Sequence, residues 1–214
     1  VVVTPAMVFN CENGRWWYMG KVLRDYHPYP QLSVADIIRK SSNIGAAKIA
    51  LLLGEQRVDR YLREFGIGRR LGIDLPGEES GILRPVQRWS KVDITRIAMG
   101  QSVSVTALQM LGVIAAIAND GFLMKPYVIK RVVAKDGTVL HQGAPVVIAR
   151  PINGETAAIM RRLLTAVTEQ GGTGTRAAVE GYTVAGKTGS AQKLVDGHYN
   201  ESDYWATFAG FLPA

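Results

Sequence analysis

The chain has 214 residues, 47% of them apolar and 20% charged, with 25 Lys and Arg against 18 Asp and Glu for a formal net charge of +7. That balance fits a globular protein with a real core and excludes a disordered chain, which would be poor in apolar residues. The longest apolar run, Met110 to Ala118 with Gly112 counted in, is about half of what a membrane-spanning helix needs.

Residues 1–32 read as irregular, with Gly, Pro and aromatics clustered at Trp16-Trp17-Tyr18 and His27-Pro28-Tyr29-Pro30. Ser33 is an N-cap candidate, and Val34, Ile37 and Ile38 then keep a helical period. This helix is predicted to stop near Lys40, because Ser41-Ser42-Asn43 prefer turns and caps. A second helix is predicted from Ile44 to Leu53, closed by Gly54, and a third through Val58, Tyr61, Leu62 and Phe65, closed by Gly66. Residues 67–94 hold Pro-Gly, Ser-Gly and Arg-Pro punctuation and read as a long surface loop. Thr106 caps the strongest helical pattern, 107–119, ended by Asn119-Asp120-Gly121. Tyr127–Val133 and Val139–Gln142 flank Asp136-Gly137 as a hairpin, and Asn153 opens a helix that ends at Gly171-Gly172. Tyr182–Lys193 and Tyr204–Leu212 read as two strands joined by a turn at Asp196-Gly197. Helices first and an antiparallel hairpin last predict an α+β fold, helices packed on an antiparallel sheet.

The lone Cys11 makes no internal disulfide, and His27, His141 and His198 are scattered without a metal-binding spacing. No metal or other cofactor is expected. The basic excess attracts anions, yet no basic 5–8-mer or RNA-binding aromatic run occurs, so no nucleic-acid partner is expected.

Two motifs carry chemistry. Ser41-Ser42-Asn43 places two hydroxyls and an amide at a helix junction, where they can face one cleft; alone it is also an ordinary helix stop and fresh cap. Gly186-Lys187-Thr188-Gly189-Ser190 lies in a predicted strand, so Lys187 and Thr188 point to opposite faces. A deep cation, an outer hydroxyl and a glycine that admits close approach make a carboxylate and carbonyl receptor. Gly181 through Thr188 also fits the phosphate-loop pattern, Gly-x-x-x-x-Gly-Lys-Thr. The context opposes that reading, because Tyr182-Thr183-Val184-Ala185 is strand-like and Gly189 breaks the helix such a loop requires.

Ser-x-Asn followed by Lys-Thr-Gly occurs, together with Ser-x-x-Lys, in penicillin-binding proteins and class A β-lactamases. The segments Lys40-Ser41-Ser42-Asn43-Ile44-Gly45, Gly100-Gln101-Ser102-Val103-Ser104-Val105-Thr106, Ala118-Asn119-Asp120-Gly121 and Ala185 to Gln192 resemble class B penicillin-binding proteins. So do His27-Pro28-Tyr29 and Phe208 to Ala214. The resemblance spans nearly the whole chain and is nearest to the FtsI-like, division-type peptidoglycan D,D-transpeptidases. It implies the penicillin-binding protein and β-lactamase-like fold, with residues 1–214 as one partial transpeptidase domain. One departure stands out. The only Ser-x-x-Lys, Ser190-Ala191-Gln192-Lys193, lies in a predicted strand, where residues three apart face opposite sides. The family's nucleophile motif precedes its Ser-x-Asn, so it is expected upstream of Val1, and the last strand and terminal helix are expected beyond Ala214.

By this resemblance the intact enzyme cross-links peptidoglycan stem peptides ending in D-Ala-D-Ala and is acylated by β-lactam antibiotics. Ser41 would relay protons, Asn43 would orient the missing lysine and bind the substrate amide, and Lys187 would supply positive potential. Thr188 and Ser190 would bind the terminal carboxylate, Gly189 would admit the ligand, and the Ser190 N–H would serve the oxyanion hole. Glu169 is either a rim residue of the cleft or part of a Gly-rich connector. The resemblance further implies a site at the outer face of the cytoplasmic membrane, an upstream anchor, and protein partners in a division or elongation complex. A β-lactamase, a D,D-carboxypeptidase of the same fold, or a non-catalytic cell-wall scaffold are the alternatives. Both motifs must touch one substrate, so Ser41 or Asn43 is expected within roughly 8 Å of the Lys187 ammonium, two hydrogen bonds and a water.

Overall fold

Local capping and hydrophobic period place the helices. The computed structural model of the chain describes residues 3–195 and 198–214. Helix α1 (Val34–Lys40) opens where the Ser33 hydroxyl accepts the Asp36 N–H, and α2 (Asn43–Leu53) opens where the Ser42 hydroxyl accepts the Gly45 N–H. Helix α3 (Glu55–Glu64) follows Gly54 directly. Helix α5 (Ala107–Ala118) carries a full capping box between Thr106 and Gln109, and α6 (Gly154–Thr168) starts at Asn153, whose side chain accepts the Thr156 N–H.

Two expectations are corrected. The stretch read as irregular, 1–32, holds regular pairs within its described residues: β1 (Val8–Asn10) pairs antiparallel with β4 (Gln31–Ser33), and β2 (Arg15–Tyr18) with β3 (Lys21–Arg24). The 67–94 loop holds a short 3-10 turn at Val86–Arg88 and leads into α4 (Asp93–Ala98), a helix absent from the sequence reading. Part of that stretch is also interior, since Leu71, Val86, Asp93 and Ile94 are buried.

Of the remaining strands, the hairpin across Asp136-Gly137 and the final antiparallel pair match the sequence reading, though the first strand of each begins later than expected, at Arg131 and Ala185. The short strands Leu123–Met124 and Val147–Ala149 were not expected. β5 (Leu123–Met124) pairs with β8 (Val147–Ala149), and β6 (Arg131–Val133) pairs with β7 (Val139–Gln142) across Asp136-Gly137. The long strands β9 (Ala185–Val195) and β10 (His198–Phe211) run antiparallel in one register from Ala185 opposite Phe211 to Ser190 opposite Ala206. Their predicted turn at Asp196-Gly197 lies outside the described residues. α6 packs on β9 and α5 on β10, around a core of Ile114, Ile117, Leu164 and Ala185 with Ile38 and Phe211 against it. A second core joins Leu71, Ala116 and Leu123 to Phe65 and Leu108. The fold is α+β, helices on an antiparallel sheet, and among the described residues no helix is long and apolar enough to cross a membrane.

Candidate active site

The packing of α1, α6 and β9 brings both motifs to one place. Ser41 is the C-cap of α1 in the left-handed conformation (φ 57°), which turns its exposed side chain away from both helices. Ser42 is buried and serves α2 as its cap. Asp25 locks that junction: its carboxylate accepts the Ser42 hydroxyl at 2.6 Å and the Ile44 N–H at 2.9 Å. Asn43 then stands at the first position of α2, its Nδ2 donating to the Arg24 carbonyl at 2.9 Å. That bond fixes which end of the amide points outward and leaves Oδ1 as the acceptor.

Lys187 reaches across from β9. Its Nζ donates to Ser41 Oγ at 2.7 Å and to the Thr188 carbonyl at 3.0 Å, across 146 residues of sequence in the first case. The separation is well inside the expected 8 Å. Burial lowers the Lys187 pKa below the ordinary lysine value, because desolvation disfavours the ammonium. Thr188 points to the other side of the strand, as the two-residue period requires, and its hydroxyl lies 2.9 Å from that of Thr173. A Cβ on Gly189 would stand 2.5 Å from Thr207 Oγ1, so a larger residue here would have to displace the Thr207 hydroxyl. Ser190 is exposed opposite Ala206.

The strand setting of Lys187-Thr188 is incompatible with a phosphate loop, which opens a helix at those residues. Ser190 and Lys193 likewise share the strand β9 rather than a helical turn. Glu169 caps the end of α6 and accepts the Gly172 N–H with its carbonyl, so the Gly-rich stretch is a hydrogen-bonded turn. The sequence reading missed Thr173, Asp25 and the Arg24 carbonyl. Each acts through a contact distant in sequence, and no local pattern announces it. Cys11 is a packed residue, fully buried beside Ser42. Trp16 stacks near Tyr18 and beneath Lys48, while Trp17 faces solvent.

Known proteins are similar to this chain in sequence and in fold. The penicillin-binding protein PbpB of Mycolicibacterium smegmatis is 40% identical over 205 residues, covering 91% of this chain and 32% of that protein. The peptidoglycan D,D-transpeptidase FtsI of Escherichia coli is 34% identical over 197 residues, 91% of this chain and 31% of its own length. The crystal structure of penicillin-binding protein 3 from Mycobacterium tuberculosis complexed with ampicillin superposes with a TM-score of 0.90 at 36% identity, over 97% of this chain and 48% of that one. The chain therefore spans about a third of the length of these curated relatives. With the penicillin binding protein transpeptidase domain model matching residues 2–214, the chain belongs to that family, among the class B, FtsI-like members.

Proposed function

We propose that this chain forms the substrate-binding and proton-relay part of a peptidoglycan D,D-transpeptidase. The observation that carries the reading is the 2.7 Å bond from Lys187 Nζ to Ser41 Oγ, which joins the two motifs in one site. Two of the three ammonium N–H groups of Lys187 are engaged by Ser41 and Thr188, which leaves the third for a ligand carboxylate. The Thr188 and Ser190 hydroxyls line the same receptor, and Gly189 admits the ligand against the strand.

The reaction proceeds by covalent catalysis. A serine oxygen from a Ser-x-x-Lys segment preceding these residues bonds to the carbonyl carbon of the penultimate D-Ala. The C–N bond to the terminal D-Ala breaks, and the leaving nitrogen takes a proton passed through Ser41. An amine of a second stem peptide then attacks the ester, and the serine oxygen leaves with its proton restored. Asn43 Oδ1 holds the lysine of that segment and the substrate amide, and the Ser190 N–H stabilises the oxyanion. A β-lactam carries a carboxylate and a strained amide in the same relation, so it acylates the same serine and stalls there. By the same family reading, the parent acts at the outer face of the cytoplasmic membrane beside other cell-wall proteins.

The full-length protein incubated with fluorescent penicillin is expected to give a saturable covalent band on a denaturing gel. Ser41→Ala is expected to slow its formation by about 10²–10⁴, the range of a removed acid-base group. An unlabelled full-length protein, correctly folded by circular dichroism, would sink the reading.

A further inference from the structure

A circuit of hydrogen bonds joined through the backbone runs around the site, and three of its members, Lys40, Gly171 and Thr173, belong to neither motif. Ser41 Oγ accepts from Lys187 Nζ at 2.7 Å; next to Lys187, the Thr188 hydroxyl meets that of Thr173 at 2.9 Å. Two residues before Thr173, the Gly171 carbonyl accepts from Lys40 Nζ at 2.7 Å, and Lys40 adjoins Ser41. The circuit thus runs from α1 through β9 to the turn after α6 and back to α1. Arg39 reinforces the last link by donating Nη2 to the Gln170 carbonyl. The left-handed φ of Gly171 (84°) is what turns these consecutive carbonyls toward the end of α1.

We infer that Lys40 is a positioning residue for the carboxylate receptor. It holds the turn 169–174 so that the Thr173 hydroxyl stands against Thr188. A hydroxyl has a single proton, so when Thr173 donates to Thr188, the Thr188 proton is directed to the ligand, and donation along such a chain strengthens the last bond. Without the Lys40 tie, the turn keeps its internal bonds, Gly172 N–H to Glu169 and Gly174 N–H to Val167, and the Arg39 donation to the Gln170 carbonyl. That donation anchors the residue before Gly171 but leaves the Gly171 carbonyl, two residues from Thr173, untied to α1. Lys40 reaches no ligand in this scheme. It acts through Gly171 and Thr173, and its loss weakens ligand capture more than bond making. The inference rests on the proposed carboxylate-binding role of Thr188.

The test uses the full-length protein as wild type, Lys40→Gln and Lys40→Arg. Acylation by a carboxylate-bearing penicillin is resolved into the pre-acylation dissociation constant and the acylation rate constant. Lys40→Gln is expected to raise the dissociation constant about tenfold, change the rate constant less than twofold, and leave the melting temperature within a degree. Lys40→Arg keeps a donor of similar reach and is expected to recover most of the loss. Amide hydrogen exchange in 169–175 is expected to quicken in Lys40→Gln alone. Unchanged constants with unchanged exchange would overturn the inference. So would a parallel loss of both constants with a lowered melting temperature that arginine does not rescue, which is the mark of a merely structural lysine. If even the wild type is not acylated, the functional reading fails, and the exchange comparison still decides whether Lys40 holds the turn.

Discussion

The Lys187 ammonium sits among Ser41 Oγ and the Thr188 carbonyl, neutral dipoles that only partly replace the water it has lost. A cation in that position is a stronger anion receptor than one in water, because the local dielectric is lower. The same burial lowers its pKa, which sets a direction for pH dependence. Below the lowered pKa the ammonium is present and the proposed carboxylate capture is expected to be intact; as pH rises through it, capture is expected to fade before an ordinary lysine, near 10.4, would titrate. Stability runs the other way. A depressed lysine binds its proton less readily when folded than when unfolded, so the fold gains stability as pH rises between the two values. Stopped-flow acylation of the full-length protein between pH 6 and 10 checks the first sign, through a dissociation constant that climbs at the alkaline end. Lys187→Ala is expected to cost about 10²–10³ in acylation efficiency, the scale of a removed electrostatic donor, and to flatten that alkaline rise. A rise that persists in Lys187→Ala would assign the titration to another group.

Among the elements, the junction of α1 and α2 shows side-chain capping, and the start of α4 shows a buried carboxylate held by the segment before it. Asp25 accepts two hydrogen bonds from the first turn of α2, a negative charge at a helix N-terminus. Asp25→Ala is expected to lower stability by about 1–2 kcal/mol, the loss of a cap, or several degrees in melting temperature for a protein of this size. Acylation is expected to drop beyond what the stability change explains, because Ser41 and Asn43 flank the residue that Asp25 holds. Calorimetry beside penicillin labelling separates the two effects, and labelling at the wild-type rate would show that the junction holds without Asp25. At α4, burial pushes the Asp93 carboxyl up, but the Ser90 N–H and hydroxyl and the Arg84 guanidinium outweigh it and hold its pKa below the usual value. A depressed carboxylate contributes stability that is fully present above its unfolded pKa, near 3.9, and lost as pH falls through the folded one. Asp93→Asn is therefore expected to melt earlier at neutral pH by about 2–3 kcal/mol, and to show a shallower acid limb in thermal scans from pH 7 to pH 2. These caps also explain what was legible. Ser33, Ser42, Thr106 and Asn153 announce their helices because cap and helix are neighbours in sequence. The strand β1 was hidden because its partner β4 lies more than twenty residues away, and α4 because six residues carry no readable period. Ser41, Asn43 and Lys187 were legible as motifs, whereas Thr173 and Asp25 earn their places only through space.

At the scale of the whole molecule, surface area argues that these residues pack against more protein than they contain. The chain exposes 13116 Å². A folded monomer of 23.3 kDa is expected to expose about 9,700 Å². The excess, roughly 3,400 Å², is several times the approximately 800 Å² that each partner gives to a standard protein interface. Large apolar side chains on strands contribute to it: Trp205 and Phe208 on β10, Val132 on β6 and Leu140 on β7 are all exposed. An apolar, half-covered strand is an aggregation template unless another element covers it. Within the parent polypeptide, further sequence is expected to cover these faces and supply the helical Ser-x-x-Lys. The isolated 214-residue chain is therefore expected to aggregate or melt broadly at low temperature, while the full-length protein melts cooperatively. It is also expected to give no covalent adduct with fluorescent penicillin, because Ser41 has no lysine one helical turn away and Ser190 lies in the strand proposed to receive the carboxylate. Expression of both forms, followed by scanning calorimetry and labelling, checks this. A monomeric isolated chain with a sharp transition and a saturable band lost on Ser41→Ala would show that the nucleophile lies within these residues.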